Sequence, residues 1–134
     1  MINKKPIIFS DLDGTLLDHY SYKSTAADPT LQKLQRANIP VILNTSKTLA
    51  ELEVIKVELK LNTPFIIENG AAVYIPKSTF ATQPEDTKVE GNYWVKSFCL
   101  PRKHWLDLLN EHCGGFSQYY RGFSMLSVAE LSQI

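Results

Sequence analysis

Cysteine is scarce in this chain: Cys99 and Cys113 are its only two in 134 residues. That is too few for a disulfide framework, and the two are not spaced as a metal-binding pair. A reduced, cytoplasmic protein is the expectation. Charge of one sign is also lacking. Fourteen basic residues (14) face fourteen acidic ones (14), so no global field draws the chain to nucleic acid or to an anionic membrane. Long apolar runs are missing too. The aliphatic runs stop at about five residues, far short of the ~20 that a membrane helix needs. The apolar stretch behind Lys4 and Lys5 breaks at Asp11, too early for a signal peptide. What remains is 44% hydrophobic and 21% charged, the composition of a folded globular domain.

The first apolar run, "PIIFS" at 6–10, is β-branched and aromatic without polar alternation. It predicts a strand buried on both faces, as in a parallel sheet. Residues 14–27 are polar and irregular, a loop or small flap. "DPTLQKLQRANIP" predicts a helix capped by Asp28, with Pro29 in its first turn and Asn38 and Pro40 at its end. "IPVILN" is a second buried strand. "TLAELEVIKVELKL" is a second helix, opened by Thr48 and Glu51 in a capping-box pattern, with Leu49, Leu52, Ile55 and Leu59 on one face. "TPFIIENG" is a third strand and "AAVYIP" a plausible fourth. Strand, helix, strand, helix, strand with short connections predicts a right-handed parallel α/β unit.

Near residue 78 the composition turns polar, at "STFATQPEDTKVEGN". This predicts a boundary, with one unit over 1–78 and a second, α+β unit over 79–134. In the second unit "YWVKSFCL" alternates like a half-buried strand and "PRKHWLDLLNEHCGG" reads as a helix. "FSQYYRGFSML" reads as one or two short strands, and Ser127 with Glu130 opens a last short helix. So short a helix is marginal alone, and a chain cut inside a larger domain is the sharper expectation.

Asp11 stands at the C-terminal end of the first strand, the sheet edge where open α/β folds bind ligands. Asp13 follows two residues later, and Gly14 lets the chain turn away. A divalent cation relieves the repulsion of two carboxylates this close. Mg²⁺ suits one or two carboxylates, water and a substrate phosphate. One carboxylate then attacks phosphorus while the other hands a proton to the leaving group. Taken alone, Asp-X-Asp is more often a turn or a cap. The second strand changes that balance, because it ends in "NTSKT" at a helix N-terminus. The hydroxyls of Thr45 and Ser46 and the free amides of that helix make an anion site at the same edge. Lys47 adds positive charge there.

These stretches carry a family resemblance. "DLDGTLL" at 11–17 resembles the first signature of the haloacid-dehalogenase superfamily of phosphatases. "VILNTSKT" at 41–48 is similar to its second, and "FIIENGAAVY" at 65–74 to the third core strand of members with a cap inserted after it. The wording is most similar to the mannosyl-3-phosphoglycerate phosphatases, and weakly so through the cap at "GFSMLSVAEL". The resemblance implies an α/β fold, with part of a parallel, three-layer Rossmann-type core and the start of an inserted α+β cap of C2 type. It implies a phosphorylated sugar–glycerate substrate, Mg²⁺ and an aspartyl-phosphate intermediate. Asp11 would be the nucleophile, and Asp13 the general acid and base. Both would serve the metal, Asp13 through its backbone carbonyl. The amides of Leu12 and Asp13 would cradle the phosphate, Thr45 would hydrogen-bond a phosphoryl oxygen, and Asn69 would lie near the substrate entrance.

The family pattern also calls for a lysine after the cap and an acidic cluster on a later strand. Nothing after residue 78 matches either: Lys88, Lys96 and the Glu85-Asp86 pair fall in the wrong context. The chain is therefore expected to end inside the cap and to be impaired by itself. Without the later strands, "PIIFS" becomes an exposed edge, which predicts self-association or docking of a further segment. Rival readings are another sugar phosphatase or a phosphomannomutase-like enzyme of the same superfamily, and a non-catalytic phosphate-binding or association module. His19, His104 and His112 are scattered, and packing or surface roles suit them. Trp94, Trp105, Tyr119 and Tyr120 suit either a sugar-facing wall or a core.

Overall fold

The computed structural model describes residues 6–133. Two compact units divide between Cys99 and Leu100. The division falls later than the composition change near residue 78, because the intervening chain returns to the first sheet.

The first unit is built on one six-stranded sheet. Its strands are β1 (Ile8–Ser10), β2 (Val41–Asn44), β3 (Phe65–Ile67), β4 (Ala72–Pro76), β5 (Lys88–Glu90) and β6 (Tyr93–Ser97). Their spatial order is β1-β2-β3-β4-β6-β5. β1, β2 and β3 run parallel, as two strand–helix–strand crossovers require, with Ile8 beside Val41 and Leu43 beside Phe65. β4 turns back antiparallel on β3, and β6 and β5 extend the sheet antiparallel. β5 arises within the stretch that reads as a polar loop. All three of its residues are exposed, so no hydrophobic period marks it.

Helix α1 (Asp28–Arg36) carries Pro29 in its first turn, but Ala27, not Asp28, occupies the cap position. Asp28 sits inside the first turn, where its carboxylate accepts a bond from Ser24 Oγ at 2.6 Å. Asn38 ends the segment at φ 52°, a left-handed conformation that Asn tolerates better than most residues. Helix α2 (Leu49–Leu59) opens on the expected box: Thr48 N and Oγ1 both donate to Glu51 Oε2, each at 2.8 Å.

Phe65, Leu12, Leu43 and Leu52 are fully buried and form the centre of the core. Each such side chain contributes about 1.5–3 kcal/mol through its removal from water. Lys56 lies among them at 6% exposure, in register with the stripe of Leu52 and Leu59. Its ammonium stands 4.0 Å from the centre of the Phe65 ring and 4.9 Å from that of Tyr93. It donates to Tyr93 Oη at 3.1 Å, and Tyr93 Oη donates onward to Glu53 Oε1 at 2.5 Å. Burial pushes the Lys56 amine below its ordinary value.

β1 is an outer strand, against the expectation of burial on both faces. Phe9 is 63% exposed and Ile7 58%. Only β2 pairs with it, so one side of its backbone is open among the described residues.

The second unit contains α3 (Arg102–Cys113) and the short α4 (Val128–Leu131). "FSQYYRGFSML" forms 3-10 turns over Gly114–Tyr119 and Phe123–Met125 instead of strands. Among the described residues of this unit the segment finds no partner strand, and local turns form instead. Trp105, Tyr119 and Phe123 are exposed, whereas Trp94, in the first unit, is buried. No helix among the described residues is long and apolar enough to cross a membrane.

Candidate active site

Three strand ends meet at one edge of the first unit. β1 delivers Asp11, and the chain then folds tightly on itself. Gly14 N donates to Leu17 O at 2.9 Å, and Leu17 N to Leu12 O at 2.8 Å. Gly14 turns the chain at φ 71°, a conformation in which a Cβ is strained. Leu12 and Leu17 are both buried and anchor this loop in the core. Asp11 and Asp13 alternate outward from that anchor and are exposed.

β2 delivers Asn44, Thr45 and Ser46 to the N-terminus of α2. Thr45 is 4% exposed, and its hydroxyl accepts from Lys47 N at 3.3 Å. That leaves the Thr45 O–H free to donate to an anion. β3 delivers Glu68, Asn69 and Gly70, which take φ of 48°, 57° and 94° in succession. Three left-handed residues in a row are costly, since a non-glycine residue there is penalised by about 1–2 kcal/mol. Two bonds hold the turn in place: Glu68 N donates to Lys47 O and Asn69 N to Thr45 O, both at 3.1 Å. The turn after β3 is therefore stitched to the loop after β2.

These elements enclose an open cavity of about 410 Å³ lined by Asp11, Asn44, Thr45, Ser46 and Asn69. Four of the five are candidates from the sequence; Asn44 is not. Its only signal is its place, as the polar residue ending a buried strand just before Thr45. Leu12 contributes its backbone to this edge, while its side chain is in the core.

Lys47 and Asp13 meet beside the cavity rather than among its lining residues. Lys47 Nζ lies 3.0 Å from Asp13 Oδ2 and 5.7 Å from the centre of the Tyr22 ring. The hydrogen bond to Asp13 holds the Lys47 ammonium above its ordinary pKa, against the opposing effect of burial. Tyr22 itself sits at φ 53°, unusual for a bulky residue. It belongs to a wrapped loop in which Asp18 Oδ1 accepts from Tyr20 N, Ser21 N and Ser21 Oγ. Those bonds to Ser21 hold the Asp18 carboxyl below its usual range.

The donor set suits Mg²⁺. Among the described residues no three His, Cys, Asp or Glu side chains gather into a metal cage. Asp11 is the one carboxylate among the residues lining the cavity, leaving other positions to the Asp13 backbone carbonyl, water and phosphate oxygens. Mg²⁺ keeps that kind of shell, whereas Ca²⁺ takes more protein oxygens.

Residues 8–90 match the family of haloacid dehalogenase-like hydrolases. The glucosyl-3-phosphoglycerate/mannosyl-3-phosphoglycerate phosphatase of Methanococcoides burtonii is 52% identical over 94 residues, which covers 70% of this chain and 35% of that protein. The mannosyl-3-phosphoglycerate phosphatase of Pyrococcus horikoshii is 42% identical over 89 residues, 66% of this chain and 35% of that protein. The chain spans about a third of the length of these curated relatives. A solved haloacid dehalogenase-like hydrolase from B. subtilis matches 78% of this chain and 32% of that one at a TM-score of 0.55 and 24% identity, a likeness of fold.

Proposed function

The chain belongs to the haloacid dehalogenase-like hydrolases, and from that premise we propose that it carries the nucleophilic half of a phosphate-monoester hydrolase. The observation that carries the reading is the cavity in which Asp11 faces Thr45 and Ser46 at the N-terminus of α2. A carboxylate, two hydroxyls and a helix N-terminus converge there, and helix N-termini favour bound phosphate.

In the first step an Asp11 carboxylate oxygen attacks phosphorus, and the bond from phosphorus to the leaving oxygen breaks. Asp13 donates a proton to that oxygen. In the second step water attacks the same phosphorus, Asp13 takes the proton, and the acyl-phosphate bond breaks to restore Asp11. Thr45 O–H and the amides at the start of α2 hold the phosphoryl oxygens. The Asp11 carboxylate and the Asp13 backbone carbonyl would hold Mg²⁺, which would supply the positive charge that lets a carboxylate approach a phosphate. Lys47 reaches the site through Asp13 and fixes that carboxylate beside the cavity.

The substrate we propose is a phosphorylated sugar–glycerate, in line with the names of the two relatives. The test is acid quenching of the chain after mixing with mannosyl-3-phosphoglycerate and Mg²⁺, followed by mass spectrometry. One phosphoryl group retained on Asp11, and absent in Asp11→Asn, is expected. No covalent phosphate and no turnover, with neither restored by adding the additional length the relatives possess, would remove the catalytic reading and leave a phosphate-binding module.

The open edge of β1 supports a second proposal. Phe9 in β1 and Ile7 just before it are exposed, and among the described residues only β2 pairs with that strand. Such an edge is a template for further chain. We propose that a second copy, or the additional length the relatives possess, pairs there.

A further inference from the structure

We infer that Lys56, Tyr93 and Glu53 form a second site, apart from the phosphate cavity, at which the Lys56 amine condenses with a short aliphatic aldehyde to give a Schiff base. The site lies toward the other end of α2. Lys56 belongs to the last turn of that helix, whereas Thr48 and the phosphate loop stand at its start. A separate open cavity of about 280 Å³ lies here, with Lys56, Tyr93 and Glu53 in its wall. Val57 and Leu61 line it too and give it an apolar side, which suits an aliphatic chain.

A lysine attacks a carbonyl only as the neutral amine, and the surroundings of Lys56 favour that form. The residue is 6% exposed. Among the described residues it makes no ion pair, and Glu53 reaches it only through Tyr93. A buried ammonium without a direct carboxylate partner is costly. Burial accordingly lowers its pKa, against the opposing charge of Glu53. Lysines that act as nucleophiles are desolvated in the same way. The aromatic faces favour the product as well. Phe65 and Tyr93 present their rings 4.0 and 4.9 Å from the nitrogen. Those faces attract a cation. An ammonium brings three N–H groups into the box, and a protonated imine only one. Tyr93 Oη, 3.1 Å from the nitrogen, is placed to accept that one. The protonated imine therefore keeps the attraction and leaves fewer donors without water.

The relay supplies the proton path. The Lys56 lone pair adds to the carbonyl carbon, and the carbonyl oxygen takes up a proton. The nitrogen gives one N–H proton to Tyr93 Oη, which passes its own proton to Glu53. Glu53 is exposed and returns that proton to solvent. The nitrogen lone pair then expels the hydroxyl group, which takes a proton and leaves as water. In sum, amine, aldehyde and one proton become a protonated imine and water, with nothing oxidised or reduced.

The test treats the folded chain with butyraldehyde and cyanoborohydride, which reduces each imine to a stable butyl amine. Proteolysis and mass spectrometry then give the rate at each lysine. Lys60, which lines the same cavity but is exposed, and the exposed Lys23 serve as standards within the sample. Lys56 is expected to be labelled several-fold faster than either, and to lose that lead in urea. Glu53→Gln, a change at an exposed residue, should slow labelling at Lys56 several-fold and leave Lys23 unaffected. Glyceraldehyde, similar in length but hydroxylated, should give Lys56 a smaller lead. Labelling of Lys56 no faster than Lys60 and Lys23, or a lead that persists in urea, overturns the site. A rate at Lys56 unchanged by Glu53→Gln overturns the relay, and an equal lead with glyceraldehyde overturns the aliphatic class of substrate.

Discussion

Lys47 Nζ and Asp13 Oδ2 stand 3.0 Å apart, an ion pair that joins the loop after β1 to the N-terminus of α2. The two segments are far apart in sequence and supply the acid and the anion site of the proposed chemistry. The pair is half-open, with side-chain exposures of 15% for Lys47 and 39% for Asp13.

A partly exposed pair contributes little to stability, so its role is to hold geometry. Lys47→Met and Asp13→Asn, alone and combined, should show a coupling of about 0.5–1 kcal/mol by urea unfolding. Inorganic phosphate binding by Lys47→Met should be several-fold weaker, read by titration. Unchanged phosphate affinity would show that the lysine serves stability alone.

Lys56, Tyr93 and Glu53 make a relay that runs from the buried Lys56 to the exposed Glu53 and joins α2 to β6. Tyr93→Phe removes its middle member and should cost about 1–3 kcal/mol, because it strips a bond from a buried ammonium. Lys56→Met keeps the stem and removes the buried charge, and should be neutral or stabilising. Desolvation by burial, then the bond to Glu53, pushes the Tyr93 phenol up to about 12 from 10.0. A folded-state value above the unfolded one means stability that is present in full below pH 10 and lost as pH rises toward 12. Chemical unfolding of the parent and Tyr93→Phe across that window should show their difference shrinking.

The box that opens α2 makes a prediction at the acid end. Backbone and side-chain bonds from Thr48 hold the Glu51 carboxyl below its ordinary 4.5. A lowered value means that its stabilisation is present above 4.5 and is lost as pH falls through the lowered folded-state value. Thr48→Ala should cost about 1 kcal/mol at neutral pH. Thermal unfolding of the parent and of Glu51→Gln should converge as the solution is acidified below 4.5.

The open edge of β1 should make association depend on concentration. Sedimentation equilibrium of the chain is expected to show mass above the monomer. Phe9→Lys, which places charge on the exposed edge, should lower it. A chain that stays monomeric across the range, with Phe9 intact, removes the second copy as the partner of that edge.

Much of the first unit was legible because its signals are local. The apolar runs at Ile8–Ser10 and Val41–Asn44 are strands, and Thr48 with Glu51 marks the start of α2. β5 was not legible: Lys88, Val89 and Glu90 are all exposed, and what makes them a strand is pairing with β6. The segment from Phe116 to Leu126 failed in the opposite sense. Its aromatic residues favour strands, yet with no partner strand in the second unit the backbone closes in 3-10 turns. At the site, Asp11, Thr45 and Ser46 were readable from their places at strand ends, and Asn69 only from the family resemblance. Asn44 was hidden because an asparagine ending a strand looks like a turn residue, and only the cavity gives it a direction.

By itself the sequence determined the chemistry on offer: a carboxylate pair, a hydroxyl pair before a helix, and buried strands to carry them to one edge. Those follow from residue type and short-range period, which need no knowledge of distant neighbours. Tertiary structure alone decided which of these groups share a space. It set Lys47 on Asp13 instead of in the cavity, and put Lys56 inside an aromatic box. Those outcomes depend on pairing order and on contacts between residues distant in sequence, which no local pattern encodes.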